Sequence, residues 1–282
     1  MLTAAAMVDE SVLANASAVP HLQAFASHRE RLTSRVLDAA TAPGARLCVL
    51  GAGNAYDLDL AALAERFAEI HLVDIDAGAL QRAFDRQDAE TRSRLVLHAP
   101  VDLSGLLDRL DRWALMQVTP EELLEHPKLS SSAIAGHLPG PFEVVLSSCV
   151  LTQLQLAVFN VLSANHPLFE AVRQVTNLAH LRTMAKLLAP GGRALLASDV
   201  ASDQVASFAD LDERADLRPL LDRLKSEGRI IYATNPDLLA WTVQEDPYLN
   251  AAVDWSGPLD AWLWHNGPTH TLLVYASELR RK

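Results

Sequence analysis

The chain has 282 residues, half of them hydrophobic and 21% charged, with a formal net charge of −11. That length and apolar content suit one large α/β domain with appended helices and exclude a disordered or fibrous chain. The acidic balance, with no clustered basic face, argues against phosphate backbones and anionic lipid surfaces, so a small molecule is the expected partner, with no nucleic acid and no membrane.

In chain order, residues 1–45 read as an N-terminal helical lid or accessory segment. MLTAAAMVDE carries acids where a signal peptide would carry bases. Residues 19–40 have the pattern of an amphipathic helix, entered after Pro20 and ended before Pro43-Gly44, which either packs on a sheet or covers a site. LCVLGAGNAYDLDL, residues 47–60, is a buried strand that breaks at Gly51-Ala52-Gly53, with a helix expected over 61–68. A glycine turn between a strand and a helix N-terminus lets backbone approach a polar ligand.

Further strand-like runs follow at 69–73, 94–98, 142–147, 192–197 and 270–276, mostly separated by helical patterns. They predict a doubly wound, mostly parallel seven-stranded sheet with helices on both faces. Residues 144–169 contain no charged residue and could span a bilayer by length, yet Ser147, Ser148, Gln153, Asn165 and His166 lie within them. The stretch reads as a buried strand followed by a polar-lined segment. Near the end, two strand-like runs flank Asn266-Gly267-Pro268, a hairpin signal that makes the C-terminal strand antiparallel. Two cysteines, Cys48 and Cys149, imply no disulfide framework and fit a reducing, cytoplasmic compartment.

The glycine spacing discriminates between nucleotide folds. A dinucleotide fingerprint needs a small residue at position 56, where this chain has Tyr56, whereas a G-x-G-x-G type of loop is met by Gly51, Gly53 and Ala55. About twenty residues on, a strand ends in Asp74, placed to accept hydrogen bonds from ribose hydroxyls; Asp76 reads as the N-cap of the next helix.

These pieces, with VDLSG at 101–105, FEVVLSSCVLTQL at 142–154 and LLAPGGRALLAS at 187–198, occur in the order of class I S-adenosylmethionine-dependent methyltransferases, which the chain resembles over about residues 45–200. The resemblance implies a cofactor-binding domain over 46–282, with substrate-side insertions at 104–141 and 150–185. It implies S-adenosylmethionine as cofactor, its methionine portion on the backbone of Gly51, Ala52, Gly53 and Asn54. Asp74 would take the ribose, Ile75 would lie beside the adenine, and Asp102 and Leu103 would flank its amino group and ring. Ser147 would lie near the methyl group, and Ser148, Cys149 and Gln153 would face the acceptor. Cys149 also reads simply as a small buried residue.

Two departures stand out: Val49 replaces the acidic residue that many members carry before the first glycine, and Ala55 replaces the third glycine. Asp57 is then a candidate for the cofactor's amino group, although a carboxylate in a first helical turn also serves the helix dipole alone. An oxygen acceptor usually needs a base, which draws attention to His137, His166 and His180; His166 and Gln153 are the catalytic candidates, with Ser148, Gln153 and His166 as acceptor-pocket walls. No metal-ligand spacing, triphosphate loop or Asn/Asp-Pro-Pro-Tyr/Phe signature occurs. Four of the five tryptophans, including Trp262 and Trp264, fall in the last 42 residues, where they suit either a flat acceptor or an ordinary core.

The expected function is therefore methylation of a small molecule, oxygen ahead of nitrogen, and a homodimer is compatible with it. A catalytically inactive cofactor-binding module is the main alternative. A nicotinamide-dependent oxidoreductase is disfavoured by Tyr56 and by the Pro190-Gly191-Gly192 turn.

Overall fold

A computed structural model describes residues 3–208, 211–212, 215–267 and 270–282. Seven strands, β1 (Ala45–Leu50), β2 (Phe67–Val73), β3 (Leu95–His98), β4 (Phe142–Ser148), β5 (Leu188–Ser202), β6 (Val253–His265) and β7 (Thr271–Arg281), form one sheet in the order β3-β2-β1-β4-β5-β7-β6. Strands β1 to β5 pair in parallel, and β7 runs antiparallel to both of its neighbours. This is the arrangement that the resemblance to class I methyltransferases implies, with the order reversing beside β1, where open α/β sheets place their ligands.

The helices are α1 (Ala4–Ala18), α2 (Ala26–Ala39), α3 (Leu60–Arg66), α4 (Ala77–Asp85), α5 (Ala89–Arg92), α6 (Leu110–Ala114), α7 (Pro120–His137), α8 (Val150–Leu162), α9 (Phe169–Leu187), α10 (Arg218–Ser226), α11 (Pro236–Glu245) and α12 (Pro247–Ala252). Strand residues alternate between two cores. Leu47, Val49, Leu72, Leu146 and Ala197 pack against α2, α3 and α4, whereas Cys48, Leu50, Val73, Val145 and Leu196 pack against α7, α9, α11 and α12. Both faces of the strands are thus apolar, as a covered parallel sheet requires.

The expected helix over 19–40 is two elements, a 3-10 turn at Val19–Phe25 and then α2. Leu32 and Val36 of α2 are fully buried in the sheet core, so this helix is a sheet cover. The covering role falls to α1, which the sequence reading did not single out; its one local signal is the Thr3 hydroxyl accepting from the Ala6 N–H. Strand β5 begins early, at Leu188, because the Pro190-Gly191-Gly192 turn forms an irregularity between Leu188, opposite Phe142, and Arg193, opposite Val144. Gly191 takes φ +73°, and a Cβ on Gly192 would stand 2.9 Å from the Ala189 carbonyl, so the turn's glycines are needed for conformation and closeness respectively.

Candidate active site

Two adjoining clefts, of about 80 and 120 Å³, open at the carboxyl ends of β1, β2 and β4. They meet at Gly51, Asp74, Asn15 and Gln153, which line both. The first runs over Ile75, Asp102 and Leu103 and is closed by Met7, Val8 and Ser11 of α1 and by Val150, Leu154 and Ala157 of α8. The second is walled by Phe25, Tyr56 and Trp264, with Asp57, Ser148, Cys149 and Asn266 among its polar groups.

The glycine turn acts through its backbone. Gly51 N–H and Ala52 N–H both donate to the Val73 carbonyl, at 2.9 and 3.1 Å, and Gly53 N–H donates to Asp74 Oδ2 at 2.7 Å. The turn is therefore not an open cradle of N–H groups; it presents the cleft with a wall that lacks side chains. A Cβ on Gly51, at φ +74°, would come within 2.4 Å of Val150 Cβ, so glycine there lets the start of α8 close against the turn. Ala55 occupies the third glycine position at φ +49°, a left-handed conformation that costs a non-glycine residue about 1–2 kcal/mol.

Asp74 joins the two clefts. Its Oδ1 accepts from Asp76 N–H at 2.9 Å and its Oδ2 from Gly53, which leaves each oxygen acceptor capacity for a further donor. Burial raises its pKa, opposed by these backbone hydrogen bonds. Asp76 caps α4 through Ala79 N–H at 3.0 Å, as its sequence position predicts. Asp102 is held by Ser104 N–H and Oγ and by Leu107 N–H, at 2.9, 2.6 and 3.0 Å, which fixes the loop under the first cleft. Asn54 is buried, its amide donating to the Asn15 carbonyl at 2.6 Å and its Oδ1 accepting from Arg82 Nε at 2.9 Å.

Strand parity separates the two serines at the tip of β4. Ser147 shares the α9 face with Val145; its Oγ pairs with His180 Nε2 at 2.8 Å and it lines neither cleft. Ser148 points to the opposite face and lines the second cleft, where its Oγ donates to Asp57 Oδ2 at 3.0 Å. Of the two serines at the tip of β4, it is therefore Ser148 and not Ser147 whose side chain meets the clefts. Cys149 follows at φ +50° and ψ +21° as the N-cap of α8, a strained non-glycine residue at the cleft.

None of the three histidines singled out from the sequence lines a cleft. His137 is exposed at the end of α7. His180 is fully buried, its pKa lowered to about 4 by desolvation. His166 accepts the Leu168 N–H on Nδ1 at 3.2 Å, so its Nε2 carries the proton and donates to the Ala114 carbonyl at 3.0 Å. With both ring nitrogens committed to backbone, His166 fastens a loop and cannot serve as a base or as a pocket wall. Gln153 and Ser148 do line the second cleft.

Asp57 is not in a helical turn. Helix α3 starts at Leu60, and its N-cap is Asp59, whose Oδ1 accepts from Ala62 N–H at 3.1 Å; the helix-dipole reading of Asp57 falls with that. The tryptophans divide: Trp262 is core, whereas Trp264 reaches the second cleft. Trp264 meets the flat-acceptor reading of the C-terminal tryptophans, whereas Phe25, Tyr56, Asn266 and Asn15 carried no expectation as cleft residues. Trp262 and Trp264 share one face of β6, two residues apart, which is the local pattern that brings the second of them to the cleft. Among the described residues no group of three or more potential metal ligands occurs, and no helix is long and apolar enough to cross a membrane.

No protein-family model matches the chain, and no curated protein does. Solved structures are similar to it. CalS10, an amino pentose methyltransferase from Micromonospora echinaspora with S-adenosylmethionine bound, is 19% identical over 60% of this chain and 50% of its own, with a TM-score of 0.33. The magnesium protoporphyrin IX methyltransferase ChlM from Synechocystis, with S-adenosylhomocysteine bound, is 12% identical over 94% of this chain and 84% of its own, at 0.44. An rRNA methylase from Streptococcus thermophilus is 12% identical over 90% and 96%, at 0.40. The chain thus spans half the length of CalS10, and the substrates of all three stay theirs.

Proposed function

We propose that this chain is an S-adenosylmethionine-dependent methyltransferase acting on a small molecule. The observation that carries the reading is the meeting of the two clefts at Gly51 and Asp74: one is shaped for a nucleoside beside a strand-end carboxylate, the other is an aromatic-walled recess at the tip of β4. Asp74, with spare acceptor capacity on both oxygens, is placed to take ribose hydroxyls, and Ile75, Asp102 and Leu103 to flank the base. The bare wall of Gly51 and Gly53 leaves room for an extended chain to pass between the clefts.

The cofactor supplies an electrophilic methyl group. What the chain's residues contribute is alignment and exclusion of water, which an in-line displacement chiefly needs. Helix α1 serves as a lid over both clefts: Asn15 Nδ2 donates to Asp76 Oδ2 at 3.1 Å, while the Asn15 carbonyl accepts from Asn54. Phe25, Tyr56 and Trp264 fit a flat acceptor, and among the described residues neither cleft is lined by a lysine or arginine, which argues against an anionic one. The histidines that favoured oxygen over nitrogen lie elsewhere, so the choice of atom passes to Asp57.

Isothermal titration with S-adenosylhomocysteine tests the reading. Wild type is expected to bind in the micromolar range, and Asp74→Ala to lose about 1.5–3 kcal/mol, the worth of hydrogen bonds to a charged group. No binding to wild type, or an undiminished affinity in the variant, would refute it; tight NADH binding would instead favour an oxidoreductase.

A further inference from the structure

A buried quartet drawn from four distant parts of the chain ends at the second cleft. Trp262 Nε1 donates to His28 Nδ1 at 2.9 Å. Because Nδ1 accepts, the neutral ring carries its proton on Nε2. Desolvation, and secondarily Arg29, lower the ring's pKa to about 3 and keep it neutral. His28 Nε2 has no hydrogen-bond partner and faces Asp57 Oδ1 at 3.8 Å. The other carboxylate oxygen accepts from Ser148 Oγ at 3.0 Å. Trp264 stacks on His28 at 4.7 Å between ring centres and forms part of the cleft wall.

Asp57 has no capping duty, only 16% of its side-chain surface is exposed, and among the described residues no lysine or arginine is paired with it. Burying a carboxylate this way costs stability, and such an arrangement marks functional sites more often than scaffolds. We infer that Asp57 is the catalytic proton acceptor, that His28 and Trp262 are its positioning residues, and that the group it serves is a hydroxyl on a flat aromatic body. This deepens the methyltransferase reading and rests on it. The acceptor oxygen forms its bond to the methyl carbon as the carbon–sulfur bond breaks, the O–H proton passes to Asp57, and sulfur keeps the bonding pair as a neutral thioether.

A hydroxyl fits better than an amine because a neutral amine attacks through its own lone pair without prior loss of a proton, whereas a hydroxyl gains its nucleophilicity from a base such as the Asp57 carboxylate. Among the described residues no lysine or arginine pairs with Asp57, and Arg29 offsets its charge only in part. From α2, His28 is neutral, and Arg29 is turned to the carbonyls of Leu22 and Tyr56 at 3.4 and 3.0 Å. At the N-cap of α8, the Cys149 thiol is raised well above its ordinary range by burial, with Asp199 and Asp57 adding to the rise, and stays protonated. Burial lifts Asp57 itself to about 6 against the Ser148 hydrogen bond and Arg29, within reach of a proton at neutral pH.

Phenol binding, followed by titration in the presence of saturating S-adenosylhomocysteine, tests the inference, with anisole as the probe lacking the O–H. Wild type is expected to lose phenol affinity as pH falls below about 6, while anisole shows no such loss. Asp57→Asn should weaken phenol about tenfold, as a charge-assisted hydrogen bond is lost, and remove the pH dependence, leaving anisole and S-adenosylhomocysteine unchanged. His28→Phe should move the pH midpoint upward, and His28→Gln should restore it. A pH-independent phenol affinity in wild type overturns the inference without recourse to any variant. So does an Asp57→Asn variant that weakens S-adenosylhomocysteine but not phenol, which would give Asp57 to the cofactor's amino group, or one in which benzylammonium loses more than phenol. Failure of wild type to bind S-adenosylhomocysteine is a separate outcome, which overturns the methyltransferase reading and the inference with it.

Discussion

The two clefts share a wall but are built differently. The floor of the first cleft is local: Gly51, Asp74, Ile75, Asp102 and Leu103 come from consecutive strand ends, and the turn is fixed by backbone bonds to Val73 and Asp74. The second cleft is assembled from residues 14–28, 51–57, 148–153 and 264–266, and its inner wall is held by buried polar side chains, Trp262 to His28 and Ser148 to Asp57. A site made of backbone fails when a side chain is added to it. A site made of buried titratable side chains fails when their protonation is forced, so pH and glycine substitution attack opposite halves of the molecule.

The largest expected effect is acid lability. His28, His126 and His180 are lowered from 6.5 to about 3, 4 and 4, in each case chiefly by burial, so below pH 6.5 the unfolded chain binds protons that the folded chain refuses. Stability from these groups is intact above pH 6.5 and is lost as pH falls toward 4. Asp57, raised from 3.8 to about 6, acts oppositely, taking its proton in the folded state; Asp74 and Asp199, also raised by burial, act with it. Counting the three histidines against Asp57, the net of two protons sets a ceiling of about 2.7 kcal/mol per pH unit near pH 5. Urea unfolding between pH 5 and 7 measures the slope, and His28→Phe should take about 1.4 kcal/mol per unit out of it. A His28→Phe variant with the same slope as wild type would mean that the second cleft is not held by a buried neutral histidine.

On the other side, Gly51→Ala should cost about 2–5 kcal/mol from left-handed strain and the clash with Val150 together. It should also abolish S-adenosylhomocysteine binding, and thermal unfolding with titration separates the two effects. The smallest expected change is at the seam. Asn15→Ala removes the side-chain bond from α1 to Asp76 and should loosen the lid by about 0.5–1.5 kcal/mol. Hydrogen exchange over residues 4–18 should rise while global stability holds. Unaltered protection there would show that the apolar contacts of Met7 hold α1 without Asn15.

Legibility in the sequence follows the same division. The strand and turn at Leu50-Gly51, the tip carboxylate of Asp74, the cap at Asp76 and the reversed C-terminal hairpin are set by near neighbours, whose apolar periodicity and backbone chemistry are written in consecutive residues. Ser147 and Ser148 show where that stops: the sequence places both at the end of β4, but which one meets the cleft depends on which sheet face is covered by α9 and which by α2. His166 looked available because its polar neighbours carry no charge, and only the fold brings the Ala114 carbonyl to its ring. Helix α1 went unread because its alanine-rich pattern lacks a strong apolar stripe. By itself, then, the sequence determined the parallel sheet, its antiparallel close and the strand-end residues that floor the first cleft, since those rest on contacts within a strand, a turn and the next helix. The tertiary structure alone decided that α1 covers both clefts and that His28, Asp57, Ser148 and Trp262 converge, because residues so far apart in the chain are brought together only when both faces of the sheet are buried.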